Sequence, residues 1–170
     1  MLSIEKSLLP ADALLAEYVK EGHYSDCYST DVRTTVTHAE YVAAFYTTPL
    51  FKLERIILKW IFGKPSTDHQ ARQLGAGETE TFAAWYVEKR SKRQILMCDF
   101  RGRTRSWLMV SSATENDGAG TRLYFGSAVV PVYSAETGTS SLGASFKLLA
   151  GFHKAYSVAL LYSAKLRLES

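Results

Sequence analysis

Two hydrophobic periods run along this chain, and the change from one to the other divides it. Residues 24–32 alternate, with Tyr24, Asp26, Tyr28, Thr30 and Val32 on one side, which predicts a first strand. Ahead of it, Pro10 suits the first turn of a short helix reaching Lys20, and Gly22 stops it. Behind it, Thr37-His38-Ala39-Glu40 matches a capping box. The Thr37 hydroxyl accepts from the N3 amide and Glu40 reaches back to the cap's own N–H, so a helix starts at His38 and runs to Tyr46. Thr48 as N-cap and Pro49 in the first helical position open another, which ends at Phe62 because Gly63 supplies a left-handed stop and Pro65 forbids continuation. A short helical turn follows from Thr67 to Leu74.

From Thr79 the period becomes two. Thr81–Arg90, Gln94–Arg101, Arg103–Ala113 and Gly120–Val132 read as four consecutive strands. Their connections (Ser91-Lys92, Gly102 and Asn116 to Gly120) are too short for parallel crossovers, so the strands form an antiparallel meander. After a polar stretch at Ser134–Ser141, the residues Leu142, Phe146, Leu149, His153, Tyr156 and Leu160 recur every three or four positions, the stripe of a long amphipathic C-terminal helix. The expected class is α+β: an antiparallel sheet curved around that helix, with helices inserted between the first strand and the four-strand meander.

Composition narrows this picture. One hundred and seventy residues at 46% hydrophobic content make one domain, 1–170, long enough to bury a core without disulfide or structural metal. Cys27 and Cys98 are too few for a secreted disulfide framework and have no metal-type spacing, so both are expected to be inert thiols. Glu5, Lys6 and Asp12 interrupt the N-terminal leucines, and no uncharged apolar run of membrane-spanning length occurs. A cytoplasmic location is the expectation.

The order of elements is similar to the helix-grip fold of the START and polyketide-cyclase-like superfamily. Within it, Phe45-Tyr46-Thr47-Thr48-Pro49-Leu50-Phe51-Lys52-Leu53-Glu54-Arg55 through Gly63, with Phe152-His153-Lys154 later, resembles an uncharacterised bacterial family of such domains. Only five strands are legible, where the full fold has six or seven. The resemblance implies a cavity between sheet and helix that holds an apolar or amphipathic small molecule, in some members with acid–base chemistry performed on it.

Several residues are candidates for that chemistry. Trp85, Tyr86, Phe100, Trp107, Tyr124 and Phe125 concentrate aromatic surface in the meander, as pocket walls and half-buried sheets both do. Neighbours in sequence face opposite sides, so only one of each adjacent pair lines any one cavity. His153 falls on the apolar stripe beside Tyr156, as either a general acid–base group or a hydrogen-bonded core histidine. Asp99 and Arg105, if Gly102 turns the chain, would pair across strands, with the arginine available to a ligand carboxylate. The expected ligand-binding set is therefore Trp85, Phe100, Arg105, Trp107, Tyr124, His153 and Tyr156, with no metal, no cofactor and no assigned catalytic residue. The enzyme alternative would use His153 or Asp99.

Charge adds a third class. Between Lys89 and Arg105 seven basic residues face the single acid Asp99, a segment suited to a hairpin tip in water or to a basic surface for anionic lipid or nucleic acid. The aromatics lie in apolar strand stretches and not among the arginines, which argues against single-stranded nucleic acid. The Pro49–Phe62 helix is apolar around most of its circumference, with Lys52, Arg55 and Lys59 in one narrow stripe. Its second apolar side would meet the cavity, a second copy in a homodimer or a membrane surface.

Overall fold

A computed structural model describes residues 4–113, 120–130 and 144–170, with the helical backbone alone over 144–152. Its elements follow the two periods. After β1 (Glu5–Lys6) and α1 (Ala16–Lys20) come β2 (Tyr24–Val32), α2 (His38–Tyr46), α3 (Pro49–Phe62) and α4 (Asp68–Ala76). Then follow β3 (Thr81–Phe82), β4 (Trp85–Ser91), β5 (Gln94–Asp99), β6 (Thr104–Ser112), β7 (Thr121–Val129) and α5 (Ala144–Glu169). The expected loop at Ser134–Ser141, most of the β6–β7 turn, and the side chains of Leu142, Phe146 and Leu149 lie outside the described residues.

The ends of α2 and α3 are those the capping residues dictate, whereas α1 begins at Ala16 and not at Pro10, without a side-chain cap. Thr37 and Glu40 close the box on α2, Thr48 accepts from the Phe51 amide ahead of Pro49, and Gly63 takes the left-handed conformation after Phe62. A second box, Thr67 with Gln70, starts α4. There Gly75 lets α4 lie against α2, since a Cβ on it would stand 2.5 Å from the Ala39 carbonyl oxygen.

All seven strands among the described residues pair antiparallel in one open sheet, ordered β1-β2-β7-β6-β5-β4-β3. Two of them have two residues each: β1, which no periodicity announces, and β3, the start of the strand expected over Thr81–Arg90. β3 separates from β4 because Ala83 turns the chain with φ +52°, a left-handed conformation costly for a residue with a Cβ. A bulge between Val87 and Lys89 sets two successive side chains, Glu88 and Lys89, toward the same side of the sheet.

The sheet is covered on both faces. On one, here the inner face, α2, α4 and α5 pack over Tyr28, Ile95, Met97, Leu108, Leu123 and Phe125. The other, outer face carries a smaller cluster in which Ala13, Leu15 and Tyr18 of the N-terminal segment cover Cys27, Leu96, Trp107, Met109 and Ala128. Gly126 admits that segment: a Cβ there would lie 2.8 Å from Leu15 and 3.0 Å from Trp107. Among the described residues, no helix is long and apolar enough to cross a membrane.

Candidate functional site

The inner face does not pack solidly along its whole length. Toward the β5–β6 turn, α3 and α5 stand over the sheet with a cavity of about 770 Å³ between them. Its walls are apolar: Leu50, Leu53, Ile57 and Leu58 from α3, Phe45 from α2, Leu160 from α5, and Trp85 and Phe125 from the sheet. Phe62 and Phe100 are in contact and border it, with ring centroids 5.4 Å apart.

A row of polar side chains crosses the sheet beside this cavity. Asp26 on β2 lies opposite Ser127 on β7, and Ser127 opposite Ser106 on β6, all in inward positions of their strands. The Ser127 hydroxyl donates to Asp26 Oδ1 at 2.6 Å, and its oxygen lies 2.7 Å from His153 Nε2 on α5. With the serine proton committed to the carboxylate, His153 Nε2–H is the donor in the second bond. Asp26 Oδ2 is 3.9 Å from the same nitrogen and has no hydrogen-bond partner among the described residues. The chain of contacts therefore runs histidine to serine to carboxylate. In a nucleophilic triad the imidazole stands between the other two, and here the serine does, 2% exposed in the sheet floor.

Two further groups complete the polar end. Glu54, the only acid on α3, accepts from the Tyr156 hydroxyl of α5, and burial pushes its carboxyl above the ordinary range against the opposing effect of that bond. The same burial, followed by the nearby Glu54 charge, raises the Tyr156 phenol, so both groups stay protonated more readily than in water. The Tyr46 hydroxyl, beside Ser106, and Ser157 Oγ are buried cavity-lining groups that lack a hydrogen bond of good geometry among the described residues.

The candidate residues from the sequence divide between the two faces. Trp85, Phe100, His153 and Tyr156 come together around the cavity. Trp107 and Tyr124 do not. They face the outer side with ring centroids 6.1 Å apart, and Trp107 Nε1 donates to Gln94 Oε1 at 2.8 Å under the N-terminal segment. Arg105 borders the cavity, yet its guanidinium turns outward. Nε donates to Glu88 Oε2 at 2.8 Å and to the Tyr18 hydroxyl at 3.0 Å, and Nη1 to the Gly102 carbonyl at 2.6 Å. Tyr18 is in turn hydrogen-bonded to Glu88, and its phenol is pushed up to about 12, by burial first and then by that carboxylate.

The expected Asp99–Arg105 pair does not form, because the register sets Arg105 opposite Cys98. Asp99 instead accepts from the Arg103 and Thr104 amides at 2.7 and 2.9 Å and closes the turn. Nor do the seven cations make one patch. Lys89 pairs with Glu17, Arg93 with Asp12 and Arg105 with Glu88, and Arg90 donates to the Leu74 carbonyl at the end of α4. Cys27 and Cys98 are buried free thiols, with Cys27 pushed up to about 12 by burial.

Asp26, Ser127, Glu54, Tyr46 and Ser157 were not singled out from the sequence. For Asp26 a signal existed: it shares its alternation with Tyr28 and Val32, so a carboxylate stands in a core position of β2. Glu54 likewise lies among Leu50, Phe51 and Leu58 on its helix. Ser127 and Ser157 carry no such signal, because buried serines are common in any fold. Among the described residues, no three His, Cys, Asp or Glu side chains gather as metal ligands. Comparison with protein-family models, curated proteins and solved structures gives no match to this chain.

Proposed function

We propose that this chain is a helix-grip domain that binds an amphipathic small molecule between its sheet and its C-terminal helix. The observation that carries the reading is a cavity with apolar walls and a polar end. Its volume falls in the range of roughly 300–1,000 Å³ typical of small-molecule sites. The Ser157 hydroxyl, without a partner among the described residues, and the poorly aligned Tyr46 hydroxyl support it further. A buried polar group without a partner costs about 1–3 kcal/mol, which a ligand hydroxyl or carbonyl would recover. The ligand's apolar body would lie between α3 and α5, and its head against Ser127, His153, Tyr46 and Ser157. The Asp26 and Glu54 carboxyls at that end, with Arg105 turned away, favour a neutral hydrogen-bonding head over a carboxylate.

Native mass spectrometry of the protein purified from its own host tests this. The expected result is a bound amphipathic compound released on denaturation. Protein that carries no bound molecule, and takes none up from an extract of host lipids and small metabolites, contradicts the reading.

Acid–base catalysis at the same cavity is the second reading, and the contact of His153 with Ser127 favours it. Replacement by glutamine separates the two. A histidine that only binds leaves His153→Gln with affinity for the identified compound within about tenfold of wild type and no turnover in either protein. Unchanged binding with turnover reduced roughly a hundredfold or more assigns proton transfer to the imidazole.

A further inference from the structure

The apolar circumference of α3 is divided between two surroundings. One side, with Leu50, Glu54 and Leu58, meets the cavity, where Phe51 is fully buried. The other side, with Leu53, Ile56, Ile57, Trp60 and Ile61, is open to solvent; Trp60 is 79% and Ile61 66% exposed. Leu53 and Ile57 belong to both, so the exposed face runs without a polar break into the cavity mouth. At the end of the helix Phe62, and beside it Phe100, extend the apolar surface.

The exposed charges nearest the aromatic end are cations, and the acid of the β5–β6 turn, Asp99, is taken up by the Arg103 and Thr104 amides. Lys52 and Arg55 are held by Asp68 at the start of α4, which settles the flank away from it. The exposed cations that remain at this end are Lys59, Lys64 and Arg101, none of which has a salt bridge among the described residues. Lys64 lies over the Phe100 ring at 5.9 Å, and Arg101 over Phe62 and Phe100 at 5.0 and 5.3 Å, so the cations ring the aromatic end directly. The one acid of α3, Glu54, points to Tyr156.

We infer that α3 docks this protein on anionic lipid membranes, with Trp60 and Ile61 entering the interface and Lys59, Lys64 and Arg101 meeting the headgroups. An exposed apolar face with tryptophan at its centre and cations along its edge suits the layered chemistry of a bilayer surface, where acyl chains lie beneath anionic headgroups. A second copy of the chain suits it poorly. A two-fold contact through α3 would press the same cationic rim against itself, with no acid on the face to answer it. The docking stands apart from the proposed ligand, because it depends on the outside of α3 and not on what fills the cavity.

Flotation with liposomes tests it, using phosphatidylcholine alone and phosphatidylcholine with about 30% phosphatidylserine. Wild-type protein is expected to float with the anionic vesicles, more weakly at 1 M than at 0.1 M salt as screening shortens from roughly 10 to 3 Å. Phosphatidylcholine alone should retain little of it. The double variant Trp60→Ser/Ile61→Ser and the double variant Lys64→Glu/Arg101→Glu should each lose at least about tenfold in binding. All four positions are exposed, and circular dichroism confirms that the variants fold. No flotation at low salt overturns the proposal, as does flotation indifferent to both variants or equal on the two lipids. Sedimentation that finds a dimer abolished by Trp60→Ser/Ile61→Ser, with no flotation, transfers the face to a second copy.

Discussion

The two faces of the sheet treat polar groups in opposite ways. On the outer face every buried side-chain donor and acceptor among the described residues has its partner. Gln94 serves the Trp107 indole, the Leu14 amide and the Asp12 carbonyl, Arg105 is held by Glu88 and Tyr18, and Asp31 forms a two-bond pair with Arg122. On the inner face five polar atoms are buried without a hydrogen bond of good geometry among the described residues: Asp26 Oδ2, His38 Nε2, Tyr46 OH, Arg90 Nε and Ser157 Oγ. Three of these, on Asp26, Tyr46 and Ser157, belong to the cavity and the polar row beside it. A closed polar network rigidifies, whereas unpaired groups beside an apolar space are held at a cost in stability. The outer face is built for the fold, and the inner face retains capacity for something else.

Acid should separate the two faces most strongly. His38 at the start of α2 is pushed down to about 4, chiefly by burial, from an ordinary value near 6.5. Its folded pKa lies below its unfolded one, so the stability it supports is full above roughly pH 6.5 and is lost as pH falls toward 4. A shift of this size corresponds to about 3 kcal/mol. Denaturant titrations between pH 7 and pH 4 should record that loss in wild type and a much flatter profile in His38→Gln. Identical profiles would remove His38 from the account.

Deleting polar groups one face at a time should give unequal answers. Gln94→Ala strands the Trp107 N–H and the Leu14 amide beneath the N-terminal segment, and is expected to cost roughly 2–3 kcal/mol. Ser157→Ala removes a hydroxyl that has no partner among the described residues, and should stay within about 1 kcal/mol of wild type or be slightly more stable. Equal destabilisation by the two, in the same denaturation assay, would erase the distinction drawn between the faces.

How much of this was readable in advance depended on how local the cause was. The limits of α2 and α3 were legible because Thr37, Glu40, Thr48, Pro49 and Gly63 act within one helical turn. Tyr24–Val32 appeared as a strand because alternation is local too. Which face meets the helices is not local. The leucines of residues 8–15 call for burial, but nothing in their spacing says that they cross the outer side and take Trp107 and Tyr124 with them. The bulge at Val87–Lys89 was equally invisible, and it turns Lys89 to the outer side beside Glu88, where it meets Glu17. The polar row needed the most distant information. Asp26 and Ser127 are brought together by β2–β7 pairing, and α5 adds His153 from beyond the sheet.

The central claim, that the inner cavity admits an amphipathic molecule, is tested most directly by titration with the neutral fluorescent probe N-phenyl-1-naphthylamine. Wild type should be compared with Ala159→Trp, which adds an indole at the exposed edge of the cavity lining on α5. Saturable binding by wild type, weakened roughly tenfold or more in Ala159→Trp while the folded spectrum is kept, is the predicted result. No saturable binding to wild type, or equal binding to both proteins, would contradict it.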